Sequence, residues 1–148
     1  MSDGGELKRE RRRWMGVLAK STAAELESEL DALRERPPYR CLRSPEAGLA
    51  LVRARIGGAG APFNVGEMTV TRCVVELATG GAPGFAYVAG RDPRHAELAA
   101  LFDALLQREP AGLAEMVERL AARQAERRAA ARARVEPTRV EFFTMVRE

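Results

Sequence analysis

Hydrophobic positions along this chain change period twice, from helical to strand-like and back. Between Glu6 and Ala19, Leu7, Trp14, Val17 and Leu18 stand among charges, as on one face of a short amphipathic helix. Thr22-Ala23-Ala24-Glu25 then has the capping-box pattern, in which the threonine hydroxyl accepts from a free helix N–H and the glutamate reaches back. The helix it opens places Leu26, Leu30 and Leu33 on one side. Pro37-Pro38 is expected to stop it, because neither ring nitrogen can donate to a helical ladder.

The middle of the chain predicts strands at Tyr39–Arg43 and Gly48–Ile56, an interruption over the glycine-rich stretch Gly57–Gly66, and a Thr- and Val-rich strand at Glu67–Leu77. The turn Thr79-Gly80-Gly81-Ala82-Pro83-Gly84 leads into a further strand, Phe85–Ala89. Such short connections favour an antiparallel meander over βαβ crossovers. Helical spacing returns at Asp92-Pro93, an N-cap acceptor followed by proline at the first helical position. Leu98, Leu101, Phe102, Leu105 and Leu106 form an apolar stripe there. A second helix from about Ala111 into the 120s or 130s carries Leu113, Val117, Leu120 and Gln124 on one side. Pro137 ends it, and Thr138–Val146 reads as a last strand, apolar on both faces. The expected fold is α+β: an antiparallel sheet of about four to five strands with helices at both ends. We expect one domain over residues 1–148, with residues 1–5 flexible.

Composition narrows the function classes. The chain is 46% hydrophobic and 30% charged, ordinary for a globular protein. A net charge of +3, with 24 basic and 21 acidic residues interleaved, is a small excess for a dedicated nucleic-acid binder. The basic clusters Arg11–Arg13 and Arg123–Arg134 are more in keeping with solvated helix faces, although the second leaves an RNA-binding regulator as a minor reading. No apolar run approaches the roughly 20 residues of a membrane span, and no signal-peptide pattern follows the basic N-terminus, so a cytoplasmic protein is expected. Cys41 and Cys73 stand outside any CxxC or Cys/His cluster and read as reduced, structural thiols.

Candidate chemistry is sparse. Gly57–Gly66 invites a phosphate-loop reading, but Phe63 stands where a dinucleotide fingerprint needs its third glycine, and no Gly-Lys-Ser/Thr ends the loop. A bend between strands is favoured over an anion nest. With His95 as the single histidine, no metal site is expected. Asp92, His95 and Glu97 could crowd on one helical turn, where a neutral His95 would serve proton transfer, or they could simply complement the helix dipole. Arg72 is the sharper anomaly. Strict alternation puts it on the face of Met68, Val70 and Val74, so either a bulge near Thr71 shifts the register or an arginine faces an apolar side and needs an anionic partner. No catalytic residues are established; the weak candidates are His95, Asp92 and Arg72. Phe142, Phe143 and Met145 of the last strand are candidate partner contacts.

Ordered motifs through the whole chain carry a resemblance. They are Arg12 with Trp14-Met15 and Val17-Leu18-Ala19, Arg55-Ile56-Gly57-Gly58 with Gly60 and Phe63, and Gly66 with Thr69-Val70-Thr71-Arg72. Gly90-Arg91-Asp92, His95-Ala96-Glu97, Asp103-Ala104-Leu105, Gln107 and Arg139–Arg147 follow. In these the chain resembles the PhnG family of the bacterial carbon–phosphorus lyase system. The Ala/Arg stretch before Val135 and the ending at Glu148 depart from the family pattern, at a surface and a terminus. The resemblance implies a subunit acting with PhnH, PhnI and PhnL to convert MgATP and a phosphonate into adenine and α-D-ribose 1-methylphosphonate 5-triphosphate. It implies a core complex that also holds PhnJ, the radical iron–sulfur enzyme, and self-association within that complex. No cofactor would be bound by this chain alone, MgATP being a substrate of the complex. Membrane and nucleic-acid partners are not expected. The family carries no catalytic residues onto this chain, so its role is expected to be support of a neighbour's active site. A direct contribution of Asp92, His95 and Arg72 to a composite site is the competing reading.

Overall fold

The computed structural model describes residues 3–135, where the changes of hydrophobic period become changes of element. Helix α1 runs Asp3–Lys20, beginning before the apolar pattern does. Thr22 forms both halves of the capping box: its hydroxyl accepts from Glu25 N–H at 3.1 Å, and its own N–H donates to Glu25 Oε2 at 2.8 Å. The helix it opens, α2, spans Ala23–Asp31 and ends before the prolines, capped by the Ala32 N–H. The two prolines therefore shape the connection to the sheet rather than the helix stop.

The sheet has three strands among the described residues, β1 Tyr39–Arg55, β2 Pro62–Leu77 and β3 Gly84–Ala89, in the order β1-β2-β3 and antiparallel throughout. This is the expected meander with fewer strands. The two strands expected at Tyr39–Arg43 and Gly48–Ile56 are one continuous β1, because register shifts between Cys41 and Arg43 and between Arg43 and Glu46 absorb the interruption. Pro45 lies in that irregular stretch, and an edge strand tolerates its missing N–H. The second half of the glycine-rich segment, Pro62–Gly66, also belongs to the sheet. Only Ile56–Ala61 turns the chain, and β2 resumes at Pro62, with Gly66 opposite Val52. The expected last strand, with Phe142, Phe143 and Met145, lies outside the described residues.

Helix α3, Pro93–Arg108, is central: its buried residues include Ala96, Leu98, Ala99, Ala100, Leu101, Phe102, Ala104 and Leu106. A helix apolar around most of its circumference must be enclosed by neighbours. One side lies on β2 and β3, and α1, α2 and α4 (Pro110–Val135) pack around the rest. Each fully buried Leu or Phe here contributes about 1.5–3 kcal/mol. Small residues set the helix–sheet spacing. A Cβ on Gly84 would come within 1.9 Å of the Ala100 carbonyl oxygen and 2.9 Å of Ala104 Cβ, so glycine is required for β3 to lie so close to α3.

The sheet thus has an inner face, Thr71, Cys73, Val75, Leu77, Gly84, Ala86 and Val88, and an open face that carries Val70, Arg72, Val74, Phe85 and Tyr87. Of the two forms of the Arg72 anomaly, the bulge in β2 does not occur, and the other holds in part: Arg72 shares its face with Val70 and Val74 and has an acidic partner, but it does not point into the core. β2 passes through Thr71 and Arg72 without a break in register, the irregularity being in β1, and the apolar face that Arg72 shares is the open one.

Candidate functional site

The turn from β3 into α3 is built on a threonine. Gly90 adopts φ 85°, a left-handed conformation that glycine takes without strain, and its N–H donates to the Thr69 carbonyl at 2.8 Å. The buried Thr71 hydroxyl donates to the Gly90 carbonyl at 2.7 Å and accepts from Asp92 N–H at 3.1 Å. Asp92, so fixed, caps α3 by accepting the His95 N–H at 3.0 Å. The His95 ring leaves in another direction. It is buried, and Nε2 lies 2.9 Å from the Leu18 carbonyl oxygen. A carbonyl only accepts, so Nε2 carries the proton, and the ring adds a second donor to a carbonyl in the last turn of α1 that otherwise has only the Ser21 N–H, at 3.3 Å.

Glu97 joins neither of these groups. It accepts from the Tyr39 hydroxyl at 2.6 Å and from Arg94 Nη1 at 3.3 Å, while Arg94 also donates to both carboxylate oxygens of Glu27, each at 2.9 Å. Burial and the bond to Glu97 hold the Tyr39 phenol above its ordinary range. Burial works against the Arg94 charge, but the Glu27 carboxylate and Tyr39 hydroxyl outweigh it and raise its pKa. The turn Asp92–Glu97 therefore sends Asp92, His95 and Glu97 to three places: a backbone cap, the end of α1, and, with Arg94, a bridge between α2, β1 and α3. Arg72, on the open face of the sheet, meets a carboxylate of its own chain, with Nη2 2.7 Å from Glu46 Oε1. The sheet separates it from His95.

The densest polar cluster was not among the expected site residues. Asp103 of α3 is fully buried. It accepts from Arg11 Nε at 3.2 Å and Nη2 at 2.8 Å, from Trp14 Nε1 at 2.8 Å, from Phe85 N–H at 2.9 Å and from Gln107 Nε2 at 3.3 Å. One carboxylate thus ties α1 and the outer strand β3 to α3. The sequence signal was an acid inside the apolar run Leu98–Leu106, with Arg and Trp three apart on a helix elsewhere. Cys73 donates weakly to the Arg43 carbonyl at 3.3 Å, and burial, with Cys41 adjacent, pushes its thiol up to about 12.

Among the described residues, no group of three or more His, Cys, Asp or Glu side chains could hold a metal ion, and no helix is long and apolar enough to cross a membrane. What remains unsatisfied is apolar. The distal half of the β1–β2 hairpin exposes Leu49, Leu51, Ile56, Phe63, Val65 and Met68.

A family model described as "Phosphonate metabolism protein PhnG" matches residues 9–148. The alpha-D-ribose 1-methylphosphonate 5-triphosphate synthase subunit PhnG of Rhizobium meliloti (strain 1021) is 45% identical over 141 residues, covering 93% of this chain and 89% of that protein.

Proposed function

Because this chain belongs to the PhnG family of phosphonate metabolism proteins, we propose that it is a subunit of an α-D-ribose 1-methylphosphonate 5-triphosphate synthase and supports the active site of a neighbouring subunit. Its partners are subunits of the PhnH, PhnI and PhnL types, with PhnJ in the same core complex and MgATP as a substrate of the whole.

Displacing adenine from the ribose anomeric carbon needs a proton for the leaving base and stabilisation of the positive charge that develops on the sugar. The observation that carries a supporting role is the position of His95. The one imidazole able to deliver a proton near neutral pH lies in the core, bonded to the Leu18 carbonyl at 2.9 Å. Asp92 caps a helix and Arg72 is paired with Glu46, so both act on this chain's own fold. The subunit then presents a rigid shape, with His95 and Asp103 holding α1 against α3. Coexpression tests this directly. The chain should copurify with PhnH, PhnI and PhnJ, and omitting it should cost recovery of the others. Stable recovery of the other three without it, alongside a monomer that stays soluble alone, would overturn the assignment.

A further inference from the structure

The hairpin β1–β2 outruns the rest of the sheet. β3 pairs with β2 over Val70–Val75, while Pro62–Thr69 has only Leu49–Arg55 beside it. At about 3.3 Å per residue this two-stranded arm extends roughly 25 Å past β3. A free two-stranded ribbon is marginal in water, and this one is apolar on both faces. Leu49 and Leu51 stand opposite Thr69 and Glu67, on the face that continues the inner side of the sheet beyond α3; they are 69% and 64% exposed. Val52 and Met68 are exposed on the other face, and Ile56, 77% exposed, sits at the tip. A flat partner surface would cover one face and leave the other in water. Burying both requires a cleft that closes around the ribbon.

Charge narrows the occupant. Near the tip, Arg53 Nε donates to Asn64 Oδ1 at 3.4 Å and Arg55 Nη1 donates to the Gly60 carbonyl at 3.1 Å. Both acceptors are neutral, and among the described residues neither guanidinium has a carboxylate partner. Glu67 is the single acid between Glu46 and Glu76. A second copy laid antiparallel along the arm would bring its strand bases to these arginines, but Glu46 there is already bonded to Arg72 and Arg43. From these features we infer that the arm is the docking element for a different subunit, entering an apolar cleft whose far end carries carboxylates that meet Arg53 and Arg55.

The inference rests on the subunit reading above, and its test separates the two. A photo-crosslinking amino acid replaces Leu51 in the full chain, which is coexpressed with the other synthase subunits; the purified complex is irradiated and the crosslinked peptides are sequenced. Crosslinks to a non-identical subunit are expected. Arg53→Glu with Arg55→Glu should reduce recovery of that subunit at least tenfold, while Arg91→Glu, a control on the β3–α3 turn, should not. Leu49→Ser with Leu51→Ser should give the same loss as the charge reversal, and thermal unfolding matched to wild type shows that each variant is folded. An intact complex with crosslinks only to a second copy, or with none, would overturn the arm as docking element and leave the subunit reading standing. So would charge-reversed arms that assemble normally, including the case in which only nucleotide binding weakens. Failure of the wild-type chain to join any complex would remove both.

Discussion

Replacing Asp103 by alanine should be among the most damaging single changes in this protein. The carboxylate is fully buried and receives both guanidinium contacts of Arg11, the Trp14 indole N–H and the Phe85 backbone N–H. Breaking a buried pair by removing one partner costs about 3–5 kcal/mol. Each buried donor left unsatisfied costs about 1–3 kcal/mol. These terms overlap, since Arg11 is a third exposed and can turn to water, so about 4 kcal/mol is the expected loss rather than their sum. That is a large part of the ~5–15 kcal/mol that holds a domain folded. Asp103→Asn keeps the shape and one acceptor and should lose about 2 kcal/mol. Equilibrium urea unfolding of the full chain, followed by Trp14 fluorescence and by circular dichroism, measures both. A double-mutant cycle with Trp14→Phe, read by circular dichroism, should show a coupling of about 1 kcal/mol or more. An Asp103→Ala protein within ~1 kcal/mol of wild type, or a cycle with no coupling, would refute the reasoning that this carboxylate fastens α1 and β3 to α3.

Three further outcomes follow from the same contacts. Burial opposes ionisation of Glu25, but its bonds to the Thr22 backbone and to Arg127 outweigh it and lower its pKa from 4.5; the stabilisation is therefore present above pH 4.5 and lost as pH falls below it. Thr22→Ala, which keeps the backbone N–H that Glu25 accepts, should cost about 1 kcal/mol at pH 7, and Glu25→Gln, which removes the titrating group, should flatten that acid limb in unfolding curves recorded from pH 7 to 3. Burial and the Cys41 thiol hold Cys73 near 12, so iodoacetamide at pH 8 should modify Cys41 first, and prior labelling of Cys73 as judged by peptide mass would contradict this. Arg72 and Glu46 are both close to half exposed, so Arg72→Lys should change stability by at most ~1 kcal/mol, a larger loss pointing to a partner beyond Glu46.

The helical parts of this fold were legible because caps and apolar spacing agree. Thr22 and Asp92 mark helix starts where the structure has them, and the stripe Leu98–Leu106 is the buried helix. The sheet was legible in order and direction but not in extent. Alternation along Leu49–Val52 and Pro62–Met68 looks the same whether the apolar side chains face a core or water, so nothing local marked these residues as an exposed arm. The same ambiguity misdirected the reading of Arg72. Alternation grouped it correctly with Val70 and Val74, but the inner face is chosen by the small residues of α3 and by Gly84, which are distant in sequence. Asp92 and His95 were visible as a cluster, yet their separate destinations depend on the end of α1, which no spacing within the turn encodes. Asp103 lay in view as a charge inside an apolar run, and its donors come from α1, β3 and its own helix.

On the proposed function, this chain supports, and does not itself perform, the displacement of adenine. The measurement that meets it most directly is phosphonate-dependent adenine release from MgATP, by the isolated chain and by the assembled complex carrying His95→Gln, an amide that can still donate to the Leu18 carbonyl. Under this reading the isolated chain releases no adenine and the variant complex turns over within about twofold of wild type, because a change confined to the core does not alter binding of the transition state. Adenine release by the pure chain, or an intact His95→Gln complex slowed a hundredfold or more, would contradict it and make His95 a catalytic residue.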